Sequence, residues 1–259
     1  MDALAALSLQ IEWGADEALD DAPLDRTRPA APAAPAARAA ALPVPPPSYN
    51  QPAAVIHTTP AARAKVLAEA APTLAALRDA VAGFTACPLA ATATNLVFAD
   101  GNPEAGIVLV GETPGPEEDM SGRPLDGKAG ALLDRMLASI GLDRSRVLIT
   151  SLIPWRPPGG RQPTQAEIAM CLPFLLRHLA LLRPRVVVTL GGLPAQMLTG
   201  SQATIRKLRG NWQSIQLTGV DHEVKLLPMI HPAMLIRMPA AKREAWHDLL
   251  ALQRVLNSV

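Results

Sequence analysis

Aromatic residues make up only 3% of this 259-residue chain, and cysteine occurs twice. Two thiols, Cys87 and Cys171, are too few for a disulfide framework and read as the reduced cysteines of a cytosolic protein. Around Cys87, Cys171, His178 and His231 there is no C-x-x-C or H-x-x-x-H spacing, so no metal site is expected. The sequence contains no run of 18 apolar residues, so no membrane span is expected. Residues 1–20 lack a basic leader and carry Glu12, Asp16, Glu17 and Asp20, which argues against a signal peptide. The expected location is cytoplasmic, in association with the nucleoid.

What is present is a hydrophobic share of 49%, ample for one core, and 26 prolines. Residues 1–20 read as an amphipathic helix carrying Leu4, Leu7, Leu9, Ile11 and Trp13, a candidate for docking a protein partner. Residues 21–60 hold ten prolines among many alanines and read as a disordered linker. Residues 61–259 are the folded domain. The net charge of +1 hides an asymmetry: residues 101–259 carry 18 Lys+Arg against 13 Asp+Glu, whereas residues 1–100 carry 6 against 10. The folded part is thus mildly basic, as a partner of a polyanion would be.

The domain is organised around residues 105–141. Ile107-Val108-Leu109-Val110 reads as a buried strand, Gly111-Glu112-Thr113-Pro114-Gly115 as a loop at its carboxyl end, and the stretch from Ala129 as an amphipathic helix closed by Gly141. Further strands are expected near Asn95–Ala99 and over Arg146–Ile153, Val186–Leu190 and Lys225–Ile230. Helices are expected at about 62–83, interrupted by Pro72, from a Thr164/Glu167 capping box to about Leu182, after Gly191-Gly192, and from about Ala240. Strands alternating with helices give an α/β fold, a three-layer αβα sandwich on a central four-stranded parallel sheet.

Gly122 to Ala129 imitates a phosphate loop but has Ala129 where the magnesium-binding hydroxyl belongs, and it starts about ten residues past its strand. Nucleotide hydrolysis is therefore excluded. More telling is the set of groups at strand ends: Glu112 after the first, Ser151 late in the second and His231 after the last, ringed by Arg123, Lys128, Arg156, Arg161 and Arg237 on Pro/Gly loops. An acid, a hydroxyl and an imidazole beside cations suit work on a phosphate-backed substrate. Ile205–Leu208, with Arg206 and Lys207, adds a small basic turn.

The motifs GETPGPEED, GRPLDGKAGALLDRML, WRPPGGRQPT, RPRVVVTLGGLPAQMLTG, RGNW and HPAMLIR, in this order between Phe84 and Leu256, resemble the bacterial and archaeal family 4 uracil-DNA glycosylases. The resemblance implies a central four-stranded parallel sheet and an enzyme that flips uracil, or a related deaminated base, out of DNA and hydrolyses its N-glycosidic bond. It makes Glu112 and His231 the catalytic pair, with Thr113, Glu118, Leu125 and Ser151 against the base. Lys128, Arg156, Arg161, Arg206 and Arg237 would face DNA. Leu125 stands where the family has a stacking Phe, Ser151 where it has a base-reading Asn, and Gly160 where an Asn is usual. The family also holds a four-iron cluster on four cysteines. Cys87 and Cys171 keep two of those positions, Phe84 and Trp155 occupy the others, and two thiols cannot hold such a cluster, so none is expected. The alternatives are a catalytically weakened DNA-binding relative using the same groove, and an interaction protein built around the N-terminal helix.

Overall fold

A computed structural model describes residues 59–257. The expected N-terminal helix and nearly all of the Pro/Ala-rich linker lie outside the described residues. The chain enters through α1 (Pro60–Ala70), where Thr59 accepts a hydrogen bond from the Ala62 amide and Pro60 occupies the first turn. Pro72 stops that helix, and Thr73 caps α2 (Leu74–Ala82) by accepting from the Ala76 amide. The carbonyl of Ala71, orphaned by the break, accepts from Arg177 Nε at 2.9 Å and Nη2 at 2.7 Å.

Then come α3 (Pro88–Thr92), β1 (Ala99–Gly101), β2 (Ile107–Gly111), α4 (Pro116–Ser121), α5 (Gly127–Ala138) and β3 (Leu148–Ser151). After them follow α6 (Gln165–Leu182), β4 (Val186–Leu190), α7 (Gly192–Thr199), α8 (Ile205–Leu208), β5 (Gln213–Ile215), β6 (Val224–Met229), α9 (Pro232–Arg237) and α10 (Lys242–Asn257). The strand order is β1-β3-β2-β4-β6-β5. The four inner strands are parallel, as expected, but β1 and β5 pair antiparallel on the two edges, so the sheet is mixed and six-stranded. The strand expected at Asn95–Ala99 is displaced. Pairing begins only at Ala99, and the Val97 amide instead donates to the Pro154 carbonyl at 2.9 Å.

Alternation along the inner strands divides the core between two faces. Val108, Val110 and Val187 pack with α1, α2 and α6, whereas Ile107, Leu109, Val188 and Leu190 pack with Leu133, Leu137, Leu249 and Leu252 of α5 and α10. Helices on both faces make the expected three layers. By length and hydropathy α6 could cross a bilayer. Here its Ile168, Phe174, Leu175 and Leu179 are core residues instead. The register pairs Gly111 with Ser151, Val110 with Thr189 and Leu190 with Met229, bringing the carboxyl ends of β3, β2, β4 and β6 to one edge.

His178 of α6 is 3% exposed, stacks on Phe98 with centroids 4.6 Å apart, and has a buried Nε2 with no hydrogen-bond partner. Burial lowers it from 6.5 to about 4. Between those values the unfolded chain takes up a proton that the fold refuses, so stability falls as pH drops through 6.5 and the loss is complete below about 4, on the order of 3 kcal/mol. A His178→Leu variant should therefore show a shallower fall of its urea midpoint between pH 7 and 4.5. An unchanged slope would remove His178 as its source.

Candidate functional site

Glu112 follows directly on β2, and its backbone carbonyl accepts from the Ile153 amide at 3.1 Å, extending the β2–β3 ladder by one step. Its side chain turns toward α7, where Oε1 accepts from the Leu193 amide at 3.2 Å. A carboxylate on the free amides of a helix N-terminus is the favourable arrangement for a negative charge. The approach is close because the neighbour is Gly191, at φ +111: a Cβ there would stand 2.3 Å from Glu112 Oε1. The Gly191 amide is in turn bonded to the Met229 carbonyl at the end of β6, two residues before His231.

His231 caps α9: its Nδ1 accepts from the Ala233 amide at 3.1 Å. With Nδ1 used as an acceptor, the neutral ring carries its proton on Nε2. Desolvation, reinforced by the charge of Arg237, lowers His231 from 6.5 to about 4, so the ring is neutral at physiological pH. Ser151 closes β3 beside Gly111, partly exposed, and its Oγ makes no hydrogen bond among the described residues. A carboxylate, an uncommitted hydroxyl and a neutral imidazole N–H thus share the carboxyl edge of the parallel strands, where open α/β sheets place their ligands.

The other expected residues divide. Thr113 is partly exposed in the loop after Glu112, and Lys128, Arg206 and Arg237 are exposed. Arg156 is partly buried, with Nε unpartnered. Three residues have other work. Glu118 is 8% exposed and folds back to accept from the Gly115 amide at 2.9 Å, satisfying the N-cap amide of α4, and burial pushes its carboxyl up. Leu125, at φ 49, is 3% exposed and packs in the core with Leu133 and Leu190 instead of lining an open edge. Arg161 is not a free cation. Its Nη1 and Nη2 lie 2.9 and 2.6 Å from the two oxygens of buried Glu167, whose carboxyl that guanidinium holds down at about 2. Asp119, the second of the acidic pair that closes the GETPGPEED motif, accepts from the amides of Thr94 and Asn95 and braces the segment before β1 against α4.

Cys87 and Cys171 are both buried free thiols of the same core cluster. Around them Phe84 is 2% and Trp155 4% exposed, and the Phe84 ring meets Phe174 edge-on with centroids 5.2 Å apart. Two sulfurs in a core where Phe84 and Trp155 are also buried do not fit a four-iron cluster, which needs four protein ligands. Among the described residues no three His, Cys, Asp or Glu side chains gather as a metal set.

Residues 98–250 match the family model of the uracil DNA glycosylase superfamily. The chain is similar to the Type-4 uracil-DNA glycosylase of Archaeoglobus fulgidus, with 41% identity over 166 residues, covering 62% of this chain and 82% of that protein. It is also similar to the Type-4 uracil-DNA glycosylase of Thermotoga maritima, with 42% identity covering 59% and 78%. The protein of the same name from Pyrobaculum aerophilum is 35% identical, covering 67% and 89%.

Proposed function

The chain belongs to the uracil DNA glycosylase superfamily, and from that premise we propose that it removes uracil from DNA by hydrolysing the N-glycosidic bond with Glu112 and His231 alone, without an iron–sulfur cluster. The observation that carries the assignment is the seat of Glu112 on the Leu193 amide, at the same strand edge as the neutral His231. The target nucleotide leaves the stack at a cost of about a few kcal/mol, least for a mispaired base. As C1′–N1 stretches, its electron pair passes to the base and gathers on uracil O2, while positive charge builds on the sugar. The Nε2–H of His231 donates to that oxygen. Oε1 of Glu112 is tied to Leu193, leaving Oε2 to hold a water and take its proton as the water oxygen bonds to C1′. The products are an abasic sugar with a C1′ hydroxyl and uracil, whose N1 is reprotonated by that same proton.

Single-turnover cleavage of a uracil-containing oligonucleotide, with iron and acid-labile sulfide assayed on the same preparation, tests both halves of the reading. Cleavage by iron-free protein is expected; binding without cleavage would favour the DNA-binding alternative. Ser151 shapes selectivity, because a hydroxyl offers one rotating group where an amide offers a donor and an acceptor at fixed spacing. Ser151→Asn should raise uracil cleavage about three- to tenfold, the worth of one added net hydrogen bond. An unchanged rate in a folded variant would show that the base edge is read elsewhere.

A further inference from the structure

The basic turn between α7 and β5 is held from three directions. Ile205 of α8 packs on Gly192, its Cβ 3.7 Å from where a Cβ on that glycine would stand, one residue before the amide that seats Glu112. The Gly210 amide donates to the Pro228 carbonyl of β6 at 3.0 Å. Between these ties Arg209 reaches into the fold. Its Nε lies 2.9 Å from Asp248 Oδ2, its Nη2 bonds Asp248 Oδ1, and the same Nη2 lies 2.6 Å from the Glu244 carbonyl oxygen. Asp248, on α10, is 2% exposed, and Gly210, at φ 72, could not carry a Cβ without bringing it within 2.5 Å of Asp248 Oδ1.

A buried ion pair of this kind is a weak device for stability, because desolvation offsets the attraction and an apolar pair of like volume often does as well. What two parallel bonds do supply is a fixed geometry. The residues so fixed are Arg206 and Lys207, both exposed on α8, hung between the loop that seats Glu112 and the strand β6 that leads to His231.

We infer that Arg209 and Asp248 are positioning residues that hold Arg206 and Lys207 at the rim of the strand-end site, where the two cations take DNA phosphates. The inference rests on the reading of this chain as a DNA glycosylase and adds to it the part that sets the phosphate contacts. Each phosphate neutralised contributes about 0.9 to the dependence of log Kd on log salt. Losing the pair of contacts should lower that slope by about two and weaken binding about tenfold near physiological salt.

Three variants of the full chain test this: Arg206→Gln with Lys207→Gln, Arg209→Met with Asp248→Leu, and all four changes together. The clamp is replaced as a pair because removing one partner would strand a buried charge and endanger the fold; urea midpoints verify that each variant is folded. Binding is read on undamaged duplex across a salt series, and kcat and KM on uracil-containing duplex. The clamp variant should show the same lowered slope and raised KM as the Gln pair, with kcat within about twofold of wild type, and the fourfold variant should lose nothing further. A wild-type salt slope in the clamp variant, a fall in kcat alone, or losses that add in full would overturn the inference. Because the slope is read on undamaged DNA, failure to cleave uracil counts against the proposed function, whereas an unchanged slope counts against the clamp.

Discussion

Glu112→Gln should lower single-turnover cleavage by about 10²–10⁴-fold, the usual worth of a positioned general base, while leaving DNA affinity unaltered. The amide is nearly isosteric with the carboxylate. It keeps an oxygen for the Leu193 amide and it respects the narrow space over Gly191, where the carboxylate lies closer than any Cβ would permit. What it loses is a second oxygen able to take a proton from water. The substitution thus isolates chemistry from packing, which Glu112→Ala would not do, since it would also leave the first turn of α7 without its acceptor. The measurement is rate at saturating enzyme beside a binding isotherm on the same oligonucleotide. A Gln variant that keeps a third or more of the rate would leave Glu112 a structural role only, a cap that happens to sit at the edge of the sheet.

The parts of this arrangement that could be read in the sequence are those set by local pattern. The Ile107–Val110 run announces a buried strand because four consecutive apolar, mostly β-branched residues suit a sheet covered on both faces. The break at Pro72 and the Thr164/Glu167 capping box follow from single-residue chemistry, and both are present. The parts that could not be read depend on partners far away in the chain. Ala99-Asp100-Gly101 has little strand propensity of its own and is a strand only because the Leu148–Thr150 backbone pairs with it. Glu112 meets Leu193 across 81 residues and Arg209 meets Asp248 across 39, separations at which no periodicity carries a signal. The pairing of Arg161 with Glu167 is hidden in the sequence for a related reason. The capping box identified Glu167, but one of its oxygens also serves the Thr164 amide, and nothing local told that both would bind a guanidinium six residues upstream. Leu125 sits in the motif position of a base contact, yet its positive φ turns the side chain into the core.

His231→Asn should cost about 2.7–4 kcal/mol in the cleavage step, a fall of about 10²–10³-fold, as removal of one donor to a developing oxyanion does. Asparagine is the informative replacement because it caps helices well. It can still accept from the Ala233 amide, so α9 keeps its start and the urea midpoint should stay near wild type, whereas alanine would confound lost capping with lost chemistry. The pH dependence separates this donor from a charged one. With Nδ1 accepting a backbone N–H and the ring lowered to about 4, the donor is a neutral imidazole throughout the physiological range. Cleavage by wild type should therefore show no step near pH 6.5, and the ratio of wild-type to Asn rates should be flat from pH 5 to 8. A step near 6.5 that disappears in His231→Asn would mean that the imidazolium is the working form. In that case Nδ1 would have to give up the Ala233 amide before each turnover, and the cap would be part of the catalytic cycle, not merely its support.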